Sequence, residues 1–347
     1  MHRKAKRIRD TVYVIGAGFS AGLGYPLTTN LLIDVWDRLP DEAQEQLAKI
    51  IEFHHPNFSR RRPTSYPEIE QLLTEMAVNH QMFSSSRRTV GRFTDAAIIA
   101  ARDQLLSCIS DWFHEIHGKA VQHDWLIKFV AEIKAENAAV ISFNWDLVLD
   151  QLLFDGHLSA EGYGLSPKLG KGTLLLKPHG SLNWYQHPLL RAVDKARHIE
   201  IYRSKDRRES VRAFLLPRGI KSNTGKRYNP LIIPPTFIKD FRPRVFQRLW
   251  RRCTDVLSTA RKIVFLGYSL PTADSQAHFI FRCGFHNQLE GRIKSAHYRH
   301  TPTGPSKVVI VNPDQSAAKR IEAVAGPKVS CSWVPMRLQE WLEDEES

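Results

Sequence analysis

Residues 11 to 26 read TVYVIGAGFSAGLGYP, and this stretch decides the fold. Its first part, VYVI, is an unbroken run of β-branched and aromatic residues, which is typical of a parallel strand covered on both faces. Gly16, Gly18 and Ala21 follow with the spacing G-x-G-x-x-A. The first glycine allows a tight turn, the second allows backbone to approach a pyrophosphate, and the small third residue allows close helix packing. The stretch predicts a nucleotide-binding turn, although a glycine turn after any buried strand would look similar.

Polar side chains follow two further apolar runs in the middle of the chain. In AAVISFNWD, residues 138 to 146, Asn144 and Asp146 stand at the end of a predicted buried strand. In GTLLLKPHGSLNW, residues 172 to 184, His179 stands just beyond the next predicted strand. Ligands bind outside the carboxyl ends of the strands in open α/β sheets. We therefore expect Asn144, Asp146 and His179 to share one site with the glycine turn.

Two strand units near the C-terminus carry further ligand candidates. In KIVFLGYSLPTADS, Gly267, Tyr268 and Ser269 follow a strand, where backbone N–H groups and a hydroxyl are suited to phosphate. In SKVVIVNPD, Asn312 and Asp314 stand at a strand end and are suited to hydrogen-bond a ribose or adenine. The alternation of strands and helices predicts an α/β fold, a Rossmann-like doubly wound parallel sheet.

The predicted sheet is interrupted by two insertions within a single domain that spans residues 1 to 347. Residues 10 to 26 and 138 to 347 make its core. Residues 27 to 137 contain no convincing strand and predict a helical insertion or cap. Residues 185 to 230 predict a basic insertion of loops and a hairpin. The helices of the first insertion are expected near residues 28–39, 67–83, 95–117 and 124–136, with residues 40–65 irregular.

The net charge of +13 is concentrated in one part of the chain. Residues 185 to 252 hold 18 Lys and Arg against 5 Asp and Glu, so the rest of the chain sums to zero. A concentrated basic surface attracts nucleic acid, an acidic partner or an anionic cofactor. The segment lacks a helix-turn-helix pattern and interleaved aromatic repeats, so a solvated basic insertion is an equal alternative.

Composition places the chain among ordinary globular proteins, since 42% of its 347 residues are apolar and 24% are charged. No run approaches the about 20 apolar residues that span a bilayer. The basic N-terminus MHRKAKRIR leads into Asp10 and a strand rather than into the apolar region of a secretory signal. We therefore expect a cytoplasmic protein that does not interact with membranes.

The four cysteines do not form a metal-binding pattern. Cys108, Cys253, Cys283 and Cys331 are far apart, and none belongs to a C-x-x-C pair. Zinc ribbons and knuckles need close pairs, so that one turn delivers two thiolates to a tetrahedral metal. We therefore expect no structural zinc and four reduced thiols.

Five short motifs occur in order along the chain: GAGFSAGLGYP, SFNWD, KPHGSLNW, FLGYSL and VNPD. In this order they resemble the sirtuin family, and more closely its divergent bacterial sirtuin-like branch. The resemblance covers most of the nucleotide-binding core, excludes both insertions, and implies that NAD is the cofactor and substrate. The residues to which it assigns roles are Gly16, Ala17, Gly18 and Ser20 in the cofactor loop, Asn144 and Asp146 beside the nicotinamide ribose, the catalytic His179, Gly267 and Ser269 at phosphate and ribose, and Asn312 at the adenosine.

Three departures from the family pattern bear on the activity. Pro26 is followed by Leu27, Thr28 and Thr29 instead of the Asp-Phe-Arg stretch of deacetylating sirtuins. The paired cysteines of their zinc module are missing, and LIIPPTF stands roughly where their peptide-binding Phe-Gly-Glu stretch would lie. The departures concern the acyl-lysine channel and leave the NAD pocket intact.

The chemistry that the resemblance then implies is hydrolysis of the nicotinamide–ribose bond of NAD, which yields nicotinamide and ADP-ribose. An oxocarbenium-like transition state requires a site that holds the ribose, stabilises positive charge and admits a nucleophile on the opposite face. Asn144 would orient the ribose and an attacking water. His179 would accept a proton from a ribose hydroxyl or from that water. Asp146 would orient Asn144 or the ribose, or would complement the developing charge.

The resemblance also implies a biological role. In the resembling bacterial proteins this activity commonly serves anti-phage defence by depleting NAD, in the manner of abortive infection. Many of these proteins assemble as homo-oligomers or act with a partner such as a HerA-like ATPase.

Other functions stay open at this point. One is an NAD-dependent protein deacylase or ADP-ribosyltransferase, and another is a non-catalytic sensor of NAD or ADP-ribose. A hydride-transferring dehydrogenase is disfavoured, because Asp34 and Asp37 fall within a predicted helix rather than at the end of a second strand.

Overall fold

The computed structural model describes residues 9–83, 93–167, 172–186, 198–204, 209–215, 228–233, 243–290 and 305–344. Their strands are β1 (Thr11–Ile15), β2 (Ala139–Ser142), β3 (Leu174–Leu176), β4 (Trp184–Gln186), β5 (His198–Tyr202), β6 (Val211–Phe214), β7 (Lys262–Leu266), β8 (Lys307–Val311) and β9 (Cys331–Val334). Their α-helices are α1 (Ala17–Ala21), α2 (Leu31–Trp36), α3 (Asp41–His54), α4 (Ile69–Phe83), α5 (Asp95–Ala120), α6 (Asp124–Glu136), α7 (Val148–Phe154), α8 (Arg244–Thr259), α9 (Ser275–Glu290), α10 (Gln315–Ala325) and α11 (Leu338–Asp344).

Six strands form one parallel sheet in the order β3-β2-β1-β7-β8-β9. The chain starts at β1 in the middle and builds outward to β3 on one side. It then returns to β7 beside β1 and builds outward to β9 on the other side. This order confirms the predicted Rossmann-like, doubly wound α/β fold, and it places the topological switch point between β1 and β7. Every residue of β1 is buried, as expected for a central parallel strand.

The helical insertion joins the core of the sheet through α6. The ring of Tyr13 in β1 meets that of Phe129 edge to face, with centroids 5.1 Å apart. Phe19, in the turn after β1, packs against Trp125 at 5.6 Å in the same way. Aromatic pairs of this geometry stabilise a core beyond the area that they bury. The insertion is therefore packed directly against the strand and the turn that carry the glycine motif.

One expectation about the helical insertion was wrong. Residues 40 to 65 were expected to be irregular, but α3 occupies Asp41–His54 and a 3₁₀ turn follows at Pro63–Ser65. Residues such as Leu47 and Ile51 lie four apart on the buried face of α3. Acidic residues in its first turn favour a helix start. The charged residues between the apolar positions belong to the solvent face. The predicted helices elsewhere in the insertion are present, although α2 is shorter than expected.

The basic insertion contains a small antiparallel sheet with the strand order β4-β6-β5. β5 and β6 pair as the predicted hairpin, and β4 adds a third strand. The buried rings of Tyr185 and Phe214 meet edge to face at 5.4 Å and form a small core. Residues 187–197, 205–208 and 216–227 of this insertion lie outside the described residues.

The described residues can be compared with the expectations about membranes and metals. No described helix is long and apolar enough to cross a membrane. Within the same residues, no three His, Cys, Asp or Glu side chains are grouped so that they could hold a metal ion. None of the four cysteines, all of which lie in the described residues, forms a disulfide. Cys253 is fully buried, and burial raises the pKa of its thiol, which keeps it protonated and unreactive.

Candidate active site at the switch point

The glycine turn after β1 is interlocked with the turn after β7. The N–H of Gly18 donates to the carbonyl of Gly267 over 2.9 Å, and the N–H of Gly16 donates to the carbonyl of Leu266 over 3.2 Å. A Cβ on Gly18 would lie 2.9 Å from the Cα of Gly267, and Gly267 itself has a φ of +58°. Side chains at either position would push the two turns apart. The glycines are thus required by contact between the two turns, before any ligand is considered.

The turn after β7 uses several groups that were expected to bind phosphate. The N–H of Gly267 donates to the carbonyl of Val311 over 3.1 Å, so it is committed to the sheet edge. Tyr268 is buried, and its hydroxyl donates to Asp274. Ser269 is the exposed residue of the three, and its carbonyl accepts from Arg320 Nε over 2.9 Å.

Three side chains from the turn after β1 and the loop after β2 form a hydrogen-bonded chain. Asn144 Nδ2 donates to the carbonyl of Gly16 over 2.8 Å and to Ser20 Oγ over 2.7 Å. Ser20 Oγ in turn donates to Asp146 Oδ2 over 2.7 Å. The other carboxylate oxygen, Oδ1, accepts from the N–H of Val148 at the start of α7 over 3.2 Å. The sequence prediction that these side chains share one sheet edge agrees with this geometry.

The amide of Asn144 leaves one atom for a ligand. Both hydrogens of Nδ2 have acceptors within the protein. No donor among the described residues contacts the amide oxygen, and Asn144 is only half-buried. The side chain is therefore fixed in orientation, with an acceptor free to bind a hydroxyl or a water.

His179 lies beyond the end of β3 in a largely apolar setting. Its ring meets Phe143 edge to face at 5.0 Å and lies 5.9 Å from the ring of Trp250. Phe143 also stacks on Tyr268, with centroids 4.4 Å apart. Because Phe143 directly precedes Asn144, the same loop supports both predicted catalytic residues. The backbone carbonyl of His179 accepts from the N–H of Ile233 over 2.8 Å, which fixes the loop from the other side.

A buried ion pair, which the sequence reasoning missed, holds the loops of the site together. Lys177 Nζ donates to the carbonyl of Asp146 over 2.6 Å, to Ser181 Oγ over 2.7 Å and to Asp150 Oδ2 over 2.8 Å. All three hydrogens of the ammonium group therefore have acceptors. Tyr163, whose hydroxyl donates to Asp150, is fully buried, and burial raises its pKa well above the ordinary value. The sequence does contain a signal for this pair: Lys177 directly follows the three leucines of β3, and Asp150 stands among the leucines of α7.

The helical insertion also reaches the site. Phe113 and His117 of α5 line a narrow crevice with Asp146 and Leu147, and this crevice leaves no room for a water molecule. Tyr25, which follows the glycine turn, meets Phe113 edge to face at 5.1 Å. Burial, and after it the charge of Asp146, raises the pKa of Tyr25. Tyr25 and His117 are therefore neighbours of the site to which the sequence analysis assigned no role.

The remaining predicted residues lie at the β8 side of the edge. Asn312 is buried, and its Nδ2 donates to the carbonyl of Tyr268 over 3.4 Å. Asp314 caps the N-terminus of α10, where its side chain accepts from the N–H of Ser316 over 2.8 Å. Its Oδ2 lies 3.6 Å from Arg320 Nη2. Both residues therefore have structural contacts of their own, in addition to any role with a ligand.

Comparison with known proteins gives no family assignment. No family model and no curated protein sequence matches the chain. Among solved structures, similarity is found to Sir2Tm bound to a propionylated peptide, with 13% identity over 97% of this chain and 93% of that chain and a TM-score of 0.42. A Sir2 homolog–NAD complex has 14% identity over 96% and 86% of the two chains and a TM-score of 0.41. A Sir2–p53 peptide–NAD+ complex has 14% identity over 99% and 94%, with a TM-score of 0.39. At these values the likeness supports no argument about activity, and the fold assignment rests on the strand order itself.

Proposed function

We propose that this protein is an NAD+ hydrolase that cleaves the nicotinamide–ribose bond and releases nicotinamide and ADP-ribose. The observation that carries the proposal is the hydrogen-bonded chain of Ser20, Asn144 and Asp146 at the switch point. Ligands of doubly wound folds bind at the topological switch point, outside the carboxyl ends of the strands. The five motifs that resemble sirtuins place their functional residues at the same edge, which supports NAD+ as the ligand.

Each residue has a role that follows from its contacts. The fixed amide oxygen of Asn144 accepts a hydrogen bond from the ribose or the attacking water. As the C1′–N bond of NAD+ breaks, its electron pair leaves with neutral nicotinamide and the water oxygen bonds to C1′. One proton of that water passes to His179 and then to solvent.

The carboxylate of Asp146 supplies the electrostatic part of the mechanism. The residue is buried, and Ser20 and the backbone of Val148 hold both of its oxygens. A negative charge in a fixed, partly dehydrated position stabilises the positive charge that develops on the ribose. Because the protein holds the carboxylate in place before substrate binds, little reorganisation accompanies the reaction.

The rest of the proposal comes from the sequence resemblance and, for Asp314, the cytoplasmic location and the basic segment, from the strand-end, compositional and charge patterns of the sequence. Gly16, Ala17, Gly18, Ser269 and Asn312 complete the proposed NAD+ site, together with Gly267 and Asp314. The biological role is NAD+ depletion in bacterial anti-phage defence, in the cytoplasm, as a homo-oligomer or with a HerA-like ATPase. The basic segment, residues 185 to 252, is a candidate surface for nucleic acid or an acidic partner.

The test is incubation of the purified protein with NAD+ and quantification of nicotinamide and ADP-ribose. His179→Ala and Asn144→Ala should each lower turnover by about 10²-fold or more, since each removes a group that acts in the transition state. His157→Ala and Asn57→Ala are matched controls, because both residues are exposed and outside the site. Folding of all variants is compared by circular dichroism and thermal unfolding.

The products decide between the proposed function and its alternatives. Equal amounts of nicotinamide and ADP-ribose support the hydrolase. Deacylated peptide or ADP-ribosylated protein in place of free ADP-ribose would identify a deacylase or transferase. Unchanged NAD+ with measurable binding, also when a candidate partner or phage lysate is added, would identify a sensor.

A further inference from the structure

A buried carboxylate from a distant part of the chain faces His179. Asp274 lies between β7 and α9 and is only 2% exposed. Its Oδ2 is 3.2 Å from His179 Nε2, which is an ion-pair distance rather than an aligned hydrogen bond. Neither the glycine motif nor the resemblance assigned a role to Asp274.

The carboxylate of Asp274 is itself held in place. Its Oδ2 accepts from the hydroxyl of Tyr268 over 3.2 Å, and its Oδ1 accepts from the N–H of Ala277 in the first turn of α9 over 3.4 Å. Tyr268 is in turn held by its stacking on Phe143. The aspartate is therefore fixed by two donors, in a position where its charge acts on the imidazole.

We propose that Asp274 is a positioning residue for His179: it holds the imidazole through Nε2, so that Nδ1 serves as the base. A neutral imidazole has one N–H and one acceptor nitrogen, and a carboxylate beside Nε2 selects the tautomer that carries its proton there. When Nδ1 then takes a proton, the carboxylate stabilises the resulting imidazolium. The role rests on the proposed hydrolase function, in which His179 takes a proton from the attacking water as that water bonds to C1′ and nicotinamide leaves.

The surroundings of the pair strengthen this electrostatic effect. Phe143 and Trp250 cover the imidazole with apolar rings, and a low local dielectric increases the interaction of neighbouring charges. The titratable group that contacts the pair is Tyr268, and the charge of Glu70 in α4 acts on Tyr268. Burial first, then Asp274, and then Glu70 raise the pKa of Tyr268, so its hydroxyl stays protonated and donates to the aspartate.

The main test compares the pH–rate profiles of wild type and Asp274→Asn. Asparagine preserves the shape of the side chain and the cap of α9, but it removes the negative charge. We expect the maximal turnover to fall by about 10²-fold or more. Because an anion beside His179 favours its protonated form, loss of the anion should move the acid limb of the profile to lower pH by about 1 unit. A purely structural role for Asp274 would lower the rate without moving that limb.

A second measurement does not depend on activity. Nitrogen spectra of isotope-labelled histidine report the tautomer of His179, which is assigned by the signal lost in His179→Gln. The wild type should carry its proton on Nε2, and Asp274→Asn should redistribute it between the two nitrogens. Tyr268→Phe, which keeps the carboxylate but removes its hydroxyl donor, should show a smaller change of the same kind.

The outcomes separate this inference from the proposed function. A wild type that hydrolyses NAD+, together with an Asp274→Asn variant of unchanged rate, profile and tautomer, would overturn the role of Asp274 alone. If wild type has no hydrolase activity, the proposed function fails, and the tautomer measurement still decides whether Asp274 positions His179. If Asp274→Asn does not fold, the test uses wild type and Tyr268→Phe. The inference is overturned if the His179 proton lies on Nδ1 in wild type and the tautomer is the same in Tyr268→Phe.

Discussion

Two polar clusters lie behind the same edge of the sheet, and they use their hydrogen-bonding groups differently. The scaffold cluster consists of Lys177, Asp150, Tyr163, Ser181 and Asn183. The site cluster consists of Ser20, Asn144, Asp146, His179 and Asp274. In the scaffold cluster the charged groups are paired with each other and sealed from solvent, with Lys177 only 1% exposed. In the site cluster Asn144 is half-buried and keeps an acceptor for a ligand.

The two clusters meet at Asp146. Its backbone carbonyl accepts from Lys177, whereas its carboxylate accepts from Ser20. The scaffold cluster therefore fixes the loop, and the site cluster uses the side chains that the loop presents. Substitutions in the scaffold cluster should act first on stability, and substitutions in the site cluster should act first on turnover.

The largest expected effect is the loss of stability in Lys177→Met. Methionine fills a similar volume but leaves the carboxylate of Asp150 buried and unpaired, which costs about 3–5 kcal/mol of unfolding free energy. Urea denaturation of the two proteins measures the difference. The double variant Lys177→Met/Asp150→Leu should recover part of the loss, because no isolated charge remains.

A matched control is available for this prediction. Lys134 makes an exposed ion pair with Asp155 at 2.8 Å, so Lys134→Met should change the unfolding free energy by about 0–1 kcal/mol. A similar small effect for Lys177→Met would mean that the scaffold cluster does not hold the fold together.

A pair of buried serines tests the division between the clusters most directly. Ser20→Ala removes the hydroxyl that joins Asn144 to Asp146, and we expect turnover of NAD+ to fall by about 10²-fold. Ser181→Ala removes an acceptor of Lys177, and we expect a loss of about 1–3 kcal/mol in stability with little change in turnover. Both quantities are measured for both variants. If the two variants affect turnover equally, the separation into two clusters is wrong.

Most of the fold could be predicted because it is encoded locally. Runs such as VYVI and IVFL are apolar without interruption, and the glycines or polar residues after such runs mark the strand ends. In α3 charged residues stand between the apolar positions, and a run of His and Arg residues follows the helix, so the helix was missed. The sequence predicts a glycine turn after the first strand, and the structure has one, but its contact with Gly267 could not be predicted from spacing, since it joins turns that are distant in sequence.

The sequence could predict only those site residues that directly follow a recognisable strand. Asn144, Asp146 and His179 each follow an apolar run, and parallel strands bring such ends together. Asp274 gives no such signal, because it lies in a loop and gains its partner His179 only through the crossover between β3 and β7. Lys177 and Asp150 interrupt apolar stretches, but their pairing depends on how α7 packs beside β3.

The smallest expected effect concerns Asp314, which the sequence placed at the cofactor and which caps α10 in the structure. Its hydrogen bond from the N–H of Ser316 is the main cause that lowers the pKa of the carboxyl below 3.8. Such a group stabilises the fold above its unfolded pKa, and the contribution is lost as pH falls through the lower folded value. Asp314→Ala should therefore cost about 0.5–1 kcal/mol near neutral pH. Asp314→Asn should keep the cap near neutral pH, and it should abolish the loss of this stabilisation that wild type shows as the pH falls below 3.8.

The same two variants also decide whether Asp314 touches the substrate. Unfolding is measured by urea titration from acid to neutral pH, and KM for NAD+ is measured in parallel. A cap acts on α10 alone, so a capping role leaves KM unchanged in Asp314→Asn. A ribose hydroxyl bound to the carboxylate would lose a charge-assisted hydrogen bond on conversion to the amide. A raised KM with unchanged stability would thus show that Asp314 binds the substrate, whereas equal stability of Asp314→Ala and wild type would contradict the capping role.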